Sequence, residues 1–324
     1  MKFRRTVVAL LLIAAATLCL PVAAQPVFPD RAVRLVIGFP PGSTTDVASR
    51  IIAGRMSDLL GQPVIVDNRP GASTGIAALA VAKSAPDGYT LFMAGNSNAV
   101  TPSLQKNQPF DFFRDFSPVA LAVSVPSILV VNPSLGVADV AQLVDAAVKD
   151  PGKMFYASSG SGTMSHLAGE LLAFTTGARM THVPYKGSAQ AVTDLLSGNV
   201  SMMFAPASSV LQYVKDGRLK ALATTGAERA RIAPELPTIA EAGIKDYDTR
   251  IWFGLVAPAG TPEAVIRKLA GALEQAQETP EVVRLLANQG IEPFKGDARQ
   301  FSEHMRREMH RWSAVIKARG IAAD

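Results

Sequence analysis

The strongest structural signal in the sequence is the stretch Val33-Arg-Leu-Val-Ile-Gly-Phe-Pro-Pro-Gly-Ser-Thr-Thr-Asp46. Its first five residues form the short, mostly apolar run that is typical of a buried strand. A loop rich in glycine and proline follows. Apolar residues then recur at helical spacing, at Ala48, Ile51, Ile52, Met56, Leu59 and Leu60. A strand, a loop and a helix in this order are the repeating unit of an α/β sheet.

The same unit recurs along most of the chain. Strands are predicted at residues 33–37, 63–67, 90–94, 127–132, 153–157, 181–184, 201–204, 220–224 and 251–257. Helices are predicted at residues 48–60, 76–83, 138–149, 164–172 and 190–196, and after Asp297, where Phe301, Met305, Met309, Trp312 and Ile316 share one face. This alternation predicts parallel sheets with helices on both faces.

We expect two such doubly wound units, with the chain crossing between them near residues 121–127 and 224–231. Lobe one would then contain residues 27–122 and 229–324, and lobe two residues 123–228. In open α/β sheets, ligands bind outside the carboxyl ends of the strands, at the loops that lead into helices. These loops are therefore the candidate binding regions.

The N-terminus has the pattern of an export signal. Lys2, Arg4 and Arg5 precede an uncharged apolar run over residues 6–20, and the small residues Val22-Ala-Ala24 then favour cleavage near Ala24. A membrane anchor is disfavoured because the run is shorter than the ~20 residues needed to span a bilayer. Lipidation at Cys19 is a further alternative, disfavoured by the bulky leucine before it. A periplasmic location follows.

Cleavage after Ala24 changes the composition of the 324-residue chain. It removes the only cysteine, so the remaining 300 residues can form neither a disulfide nor a thiolate metal site. It also removes three basic residues and no acidic one, which lowers the net charge from +5 to +2. This balance gives no reason to expect nucleic acid as a partner. The 48% of hydrophobic residues indicates a folded protein, which we expect to be a monomer.

The first candidate region is the first loop, residues 38–46. Gly42 permits unusual backbone angles, and the hydroxyls of Ser43, Thr44 and Thr45 stand where a helix N-terminus offers unpaired N–H groups. The alternative is an ordinary turn capped by Thr44. Asp46 runs against a simple anion site, because its carboxylate would repel a bound anion unless it points away or meets an ammonium group.

The second candidate region is the second loop, Ser158-Ser-Gly-Ser-Gly-Thr163. Four hydroxyls and two glycines before a helix favour a nest for a carboxylate over a flexible capped turn. The loop lacks the lysine of a Walker A motif and the third glycine of a dinucleotide fingerprint. Shorter candidates are residues 95–98, 185–188 and 205–208, where amides and hydroxyls could bind a carboxylate, Tyr185 could stack on a ligand, and Lys186 is either a ligand contact or a solvated lysine.

The sequence indicates no catalytic machinery. The histidines at positions 166, 182, 304 and 310 form no His-Glu-x-x-His pair, and no Gly-x-Ser-x-Gly elbow is present. A Ser161–His166 pair would lack a third member. We therefore predict neither catalytic residues nor a metal or cofactor.

An ordered set of motifs carries a family resemblance. The motifs are Phe28-Pro-Asp-Arg31, Gly38-Phe-Pro-Pro-Gly42 with Asp46, Val66-Asp-Asn-Arg-Pro-Gly-Ala72, Pro86-Asp-Gly-Tyr-Thr-Leu91, Val183-Pro-Tyr-Lys-Gly-Ser188, Gly217-Arg-Leu-Lys-Ala-Leu222, Leu236-Pro-Thr-Ile-Ala-Glu-Ala-Gly243 and Trp252-Phe-Gly-Leu-Val-Ala-Pro-Ala-Gly-Thr-Pro262. Over the whole mature chain, they resemble the substrate-binding proteins of tripartite tricarboxylate transporters, also called Bug proteins.

The resemblance implies a type II periplasmic-binding-protein fold with a cleft between two lobes. It implies capture of a small carboxylate (a di- or tricarboxylate, an acidic amino acid or an aromatic acid) and delivery to a membrane permease. In this family backbone N–H groups, hydroxyls and waters hold the carboxylate. The predicted ligand-binding residues are Phe39, Pro40, Gly42, Ser43, Thr44, Thr45, Asp46, Asn96, Ser97, Asn98, Ser158, Ser159, Gly160, Ser161, Gly162, Thr163, His166, Tyr185, Lys186 and Ala205.

Two departures from the family pattern bear on the ligand. Ser43 stands where the family usually has glycine, which predicts a more restricted first loop. Ser201 stands where the family commonly has an acidic residue; if that acid holds an ammonium group, its loss favours a plain carboxylate. Competing functions are a ligand sensor for a two-component system, a periplasmic enzyme, and the effector domain of a regulator, which the export signal and the lack of a DNA-binding helix pair disfavour.

Overall fold

The computed structural model describes residues 28–105 and 108–321. The predictions about the export signal, cleavage near Ala24 and lipidation of Cys19 lie outside these residues. Two β-sheets form the framework, and helices pack around them. No helix within residues 28–105 or 108–321 is long and apolar enough to cross a membrane.

The first sheet has six strands in the order β11-β4-β10-β3-β1-β2. Its strands are β1 (Val33–Ile37), β2 (Val64–Asn68), β3 (Thr90–Gly95), β4 (Phe116–Val125), β10 (Ile251–Pro258) and β11 (Glu292–Pro293). β1 is parallel to both neighbours, with Val33 opposite Val64 and Leu35 opposite Leu91. β10 is antiparallel to β3 and β4.

The second sheet has five strands in the order β7-β6-β8-β5-β9. Its strands are β5 (Ser127–Val131), β6 (Met154–Ser158), β7 (Met180–Pro184), β8 (Met202–Pro206) and β9 (Lys220–Thr224). β6 is parallel to β7 and β8, whereas β5 is antiparallel to β8 and β9.

The prediction of parallel sheets is therefore wrong for β5, β10 and β11. A parallel neighbour needs a crossover of a dozen or more residues, usually a helix. β5 instead follows β4 after the single residue Pro126, and its first residue, Ser127, pairs with the last residue of β8. β10 likewise enters its sheet at the carboxyl ends of its neighbours, with Phe253 opposite Gly95. A strand that enters a sheet at the carboxyl ends of its neighbours runs antiparallel to them.

The helices surround the two sheets. They are α1 (Thr44–Leu60), α2 (Gly75–Ala82), α3 (Asn96–Leu104), α4 (Phe112–Asp115), α5 (Val140–Lys149), α6 (Met164–Thr176), α7 (Ser188–Leu196), α8 (Ala207–Lys215), α9 (Glu263–Glu278), α10 (Pro280–Asn288) and α11 (Ala298–Arg319). Sequence patterns gave no bounds for β4, β11, α3, α4, α8, α9 and α10. α3 opens on asparagine and serine and contains Pro102, all poor helix formers. α8 starts directly after β8 with no loop between them.

The longest helix, α11, belongs to the cores of both sheets. Asp297 caps it, accepting from the N–H of Gln300 (2.7 Å). Phe301 and Met305 pack in the apolar cluster of the first sheet, whereas Trp312 and Ile316 pack in a cluster that contains strands of the second. The apolar face predicted after Asp297 is thus confirmed, and it joins the two lobes.

Candidate functional site

A cavity of about 670 Å³ lies where the carboxyl ends of strands from both sheets meet. The first sheet contributes the first loop after β1, the start of α3 after β3, and the start of β10. The second sheet contributes the second loop after β6, the start of β5 and the end of β8. The cavity therefore occupies the position where open α/β sheets bind ligands.

Eleven of the twenty predicted ligand-binding residues line this cavity. They are Phe39, Pro40, Ser43, Thr44, Thr45, Asn96, Ser97, Ser159, Ser161, Gly162 and Thr163. The other nine do not line it and are Gly42, Asp46, Asn98, Ser158, Gly160, His166, Tyr185, Lys186 and Ala205.

Ser43, rather than Thr44, caps α1. Its hydroxyl accepts a hydrogen bond from the N–H of Asp46 (3.2 Å), and Thr44 is the first helical residue. Ser43 has an ordinary extended backbone with φ of −68°. The substitution for glycine at this position therefore places no strain on the first loop, because the left-handed conformation falls on Gly42, with φ of 80°.

Asp46 points away from the cavity and fixes the first loop from behind. Its carboxylate accepts hydrogen bonds from the N–H of Gly42 (2.9 Å), from Nε of Arg50 (3.0 Å) and from Nδ2 of Asn68 (2.9 Å). The same Asn68 amide donates to the carbonyl of Phe39 (3.1 Å). Burial alone raises the pKa of Asp46, but donation from Arg50, Gly42 and Asn68 outweighs it and lowers that pKa below its ordinary value.

A left-handed turn over Ala72, Ser73 and Thr74 supports the first loop and also lines the cavity. The three residues have φ of 48°, 50° and 76°, which is unusual outside glycine. Gly38 packs so closely against this turn that a Cβ atom on it would lie 2.4 Å from Cβ of Thr74. Position 38 therefore admits only glycine without movement of the turn.

The hydroxyls of the second loop bind mainly to the loop itself. Ser165 Oγ accepts from the N–H of Ser159 (2.9 Å) and lies 3.0 Å from Oγ1 of Thr163, which donates to the carbonyl of Gly160 (2.6 Å). Ser158 Oγ accepts from the N–H of Gly160 (3.1 Å). These bonds hold the second loop in shape from within.

The histidines behind the second loop do not form a catalytic pair with a cavity serine. His166 Nδ1 accepts from the N–H of Gly162 (3.0 Å), so this nitrogen supports the backbone of the loop. Ser158 Oγ lies 2.6 Å from Nε2 of His182, but Ser158 is 0% exposed and cannot reach a substrate. The rings of His166 and His182 stack at 3.8 Å. The stacked pair, of which His166 is buried, therefore positions the loop.

The amides of Asn96 and Asn98 hold the start of α3. Asn96 Oδ1 accepts from the N–H of Trp252 (2.8 Å), and its Nδ2 donates to the carbonyl of Arg250 (3.3 Å). Asn98 Oδ1 accepts from the N–H of Gly95 (2.9 Å), and its Nδ2 donates to Thr74 (3.2 Å). The residues predicted as a loop are thus the first turn of a helix, and their side chains connect it to neighbouring elements.

The remaining predicted residues lie away from the cavity wall. Tyr185 donates from its hydroxyl to Asp194 (2.6 Å), and burial together with this carboxylate raises the pKa of Tyr185 to about 12. Lys186 is exposed, and Ala205 is buried within β8. Ser201 lies just before β8, about 16 Å along the strand from the cavity residue Pro206 at ~3.3 Å per residue.

The position of Ser201 shows that this residue gives no information about the ligand. An acidic side chain there would be at the wrong end of β8 to hold an ammonium group in the cavity. Its absence therefore says nothing about the ligand.

Sequence reasoning predicted Phe39 and Pro40 but missed the rest of the apolar cavity wall. This part includes Pro70, Val100, Leu104, Val125, Met164, Phe204, Ile251 and Phe253. The motif at residues 66–72 could have indicated Pro70, because it carries the family resemblance. Val100 and Leu104 belong to the helix α3 that sequence patterns did not detect, and the others look like ordinary core residues.

The cavity wall has helix N-termini but no ionisable side chain among the described residues. The first residues of α1, α3 and α6 line it, and so do the cap residues Thr74 and Pro206, which precede α2 and α8. Each helix start offers unpaired N–H groups and a partial positive charge of about +0.5. No group of three or more potential metal-binding side chains occurs within the described residues. The arrangement suits a small anion that is held by neutral donors.

Comparison with known proteins identifies the family. The family model for the tripartite tricarboxylate transporter family receptor matches residues 48–321. Protein BugT of Bordetella pertussis is 37% identical over 95% of both chains. The R. palustris protein Rpa4515, solved with adipate, is 38% identical over 91% of this chain and 99% of its own, with a TM-score of 0.76. MatC from Rhodopseudomonas palustris, solved with bound malate, is 29% identical over 89% and 100%, with a TM-score of 0.72.

These matches confirm the fold and the class of protein predicted from the sequence. Solved relatives that cover nine-tenths or more of this chain are periplasmic binding proteins, so the two sheets are the two lobes of that fold. The family consists of receptors, which confirms that the chain is not an enzyme. The chain belongs to the receptors of the tripartite tricarboxylate transporter family.

Proposed function

We propose that this protein captures a small carboxylate in the cavity between its lobes and delivers it to a membrane permease. The observation that carries this proposal is a cavity of about 670 Å³ that is lined by the starts of α1, α3 and α6 and by the residues that cap α2 and α8, with no ionisable side chain among the described lining residues. Adipate and malate in the solved relatives support a carboxylate ligand. Ligand contacts are proposed for the eleven predicted residues that line the cavity.

Capture requires both lobes. The first loop, the left-handed turn at residues 72–74 and the start of α3 belong to the first sheet, whereas the second loop and the start of α8 belong to the second. A carboxylate that accepts hydrogen bonds from both sides favours the closed arrangement over the open one. We propose lobe boundaries at residues 27–122 plus 229–324 and 123–228, which the division of strands between the sheets supports except at the end of β4.

The test of capture is thermal unfolding of residues 25–324 with matched ligand pairs. Each carboxylate (hexanoate, adipate, malate) is compared with its neutral amide. Ligand at one hundred times its Kd adds about 2.7 kcal/mol to the free energy of unfolding, so a clear rise in Tm is expected for a carboxylate and none for its amide. Equal shifts with the amide, or no shift with any carboxylate, would contradict the proposal.

Delivery to a permease is tested in the source organism. Deletion of the gene is expected to abolish uptake of the bound carboxylate while leaving the transcriptional response to it intact. The reverse result would favour the sensor function. Size-exclusion chromatography with light scattering tests the expected monomer, and fractionation with N-terminal sequencing of the exported protein tests a periplasmic location and cleavage near Ala24.

A further inference from the structure

The cavity has two chemically different parts. Its polar part consists of helix starts and the hydroxyls of the two loops. Its apolar part includes Phe39, Val100, Leu104, Met164, Phe204 and Phe253. We infer that the ligand is a monocarboxylate with an apolar, preferably aromatic, body, and that these apolar residues select it over compact di- and tricarboxylates. This inference rests on the proposed function and specifies its substrate class.

An aromatic corner is the most distinctive feature of the apolar part. The rings of Phe39 and Phe253 meet edge to face, with centroids 6.0 Å apart and an interplanar angle of 87°. Phe253 reaches this position because Gly95 has no side chain: a Cβ atom there would lie 2.7 Å from Cδ1 of Phe253. Phe39 is half-buried and lines the cavity. An aromatic ligand body can extend such an edge-to-face arrangement.

The apolar part continues across the cleft. Leu104 at the end of α3 approaches the second loop so closely that a Cβ atom on Gly162 would lie 3.1 Å from its Cδ1. Val100 and Leu104 pack in the same apolar cluster as Met164 and Phe204 of the second lobe. The two lobes therefore meet through apolar side chains, and a ligand in the closed cleft lies against them.

A second carboxylate would lack a countercharge in this cavity. Two nearby cations are already paired: Arg50 with Asp46 at 3.0 Å on the far side of the first loop, and Arg250 with Asp248 at 3.0 Å. Neither side chain lines the cavity. A charge that is removed from water without a partner is strongly disfavoured, whereas methylene and aromatic groups gain from burial. One carboxylate bound at the helix starts occupies the polar part of the cavity, so a second would have to lie against the apolar part.

The volume agrees with a ligand larger than malate. Pockets of ~300–1,000 Å³ take up drug-sized molecules, and this cavity of about 670 Å³ falls in the middle of that range. The proposed class also distinguishes this chain from its relative solved with adipate.

The test compares dissociation constants by isothermal titration calorimetry on residues 25–324. Hexanoate and adipate share a six-carbon chain and differ only in the second carboxylate, and 3-phenylpropanoate adds a ring. We expect hexanoate and 3-phenylpropanoate to bind at least ten-fold more tightly than adipate or malate. Adipate or malate binding as tightly as hexanoate would overturn the inference and leave the proposed function intact. Binding of none of the four would overturn both.

A variant pair tests the aromatic corner. Phe39→Leu is expected to weaken 3-phenylpropanoate about 3- to 10-fold relative to hexanoate, because it removes the edge-to-face partner. The measured quantity is the ratio of the dissociation constants of 3-phenylpropanoate and hexanoate, because a general loss of binding would change both constants and leave their ratio unchanged. Phe174→Leu, at a phenylalanine that is 48% exposed on α6 and outside the cavity, is the matched control and should leave the ratio unchanged. An unchanged ratio in Phe39→Leu would contradict the assigned contact.

Discussion

The first and second loops perform the same task with different chemistry. Each follows a parallel strand, contains at least one glycine with positive φ and leads into a helix whose start lines the cavity. The first loop is fixed from behind by a buried carboxylate, Asp46, which accepts from three donors. The second loop is fixed by neutral hydroxyls and by two stacked histidines.

This difference shows how a carboxylate side chain can lie close to an anion site without repelling the anion. Asp46 is only 4% exposed, and its charge is satisfied by Arg50, Asn68 and Gly42. It therefore shapes the first loop without facing the ligand. Neither loop presents an ionisable side chain to the cavity, so selectivity depends on backbone donors, hydroxyls and the apolar wall.

The largest effect is expected from Asp46→Asn. The change removes a charged acceptor from three donors, so we expect the free energy of unfolding to fall by about 3 kcal/mol and carboxylate binding to weaken more than ten-fold. Urea unfolding and calorimetry measure the two effects. Asp58→Asn, at a residue that is 69% exposed and paired with Arg55 on the same helix, is the control and should change stability by less than about 0.5 kcal/mol.

The same pair gives a pH test. The pKa of Asp46 is lowered in the folded state, so its contribution is present above the ordinary value of 3.8 and is lost as pH falls through the lowered pKa. The difference in unfolding free energy between the wild type and Asp46→Asn should therefore hold from pH 7 to about pH 4 and shrink below it. A difference that disappears at pH 6 would show that Asp46 is not held in its ionised form.

Gly38→Ala is expected to be the next most damaging change. Its new methyl group would collide with Thr74 and displace the left-handed turn, which costs about 2 kcal/mol and weakens binding. Gly54→Ala is the matched control, because Gly54 lies inside α1 with open space around it. That control should raise stability by about 0.5 kcal/mol. Equal effects of the two alanines would refute the close packing of Gly38.

Ser165→Ala tests the neutral network of the second loop. Loss of the hydroxyl leaves the N–H of Ser159 without its acceptor, and we expect a fall of about 1 kcal/mol, smaller than that of Asp46→Asn. Ser197→Ala, at an exposed serine of the same lobe, should lie within about 0.5 kcal/mol of the wild type. A loss as large as that of Asp46→Asn would remove the contrast between the loops.

The smallest effect is expected from Ser201→Asp. Because Ser201 lies at the remote end of β8, a carboxylate there should change ligand affinity by less than about two-fold. Ser161→Asp places the same charge in the cavity wall and should reduce carboxylate binding more than ten-fold. Calorimetry on both variants tests the location of the ligand, and a strong effect at position 201 would contradict it.

Much of the fold follows from local sequence patterns. The periodicity of residues 33–60 predicts β1 and α1, and Asp297 with its apolar face predicts α11, because these elements bury one regular stripe each. The antiparallel strands β5 and β10 could not be predicted in this way. Their direction depends on the side from which the chain enters a sheet, which local patterns do not encode.

In the candidate site too, some features follow from local sequence patterns and others depend on tertiary contacts. Glycine and hydroxyl residues marked both loops, because tight turns and helix starts require them. The outward orientation of Asp46 depends on Asn68, which is twenty-two residues away in sequence. The apolar wall at Val100 and Leu104 depends on a helix that contains Pro102. Such features arise from tertiary contacts between segments that look unremarkable alone.

The most direct test of the account is a crystal structure of residues 25–324 with bound 3-phenylpropanoate. We expect its carboxylate to accept hydrogen bonds from groups of both loops, with no arginine or lysine within 4 Å, and its ring to contact Phe39. A carboxylate paired with a basic side chain, or held by only one of the two loops, would contradict capture of the anion by neutral donors from both lobes.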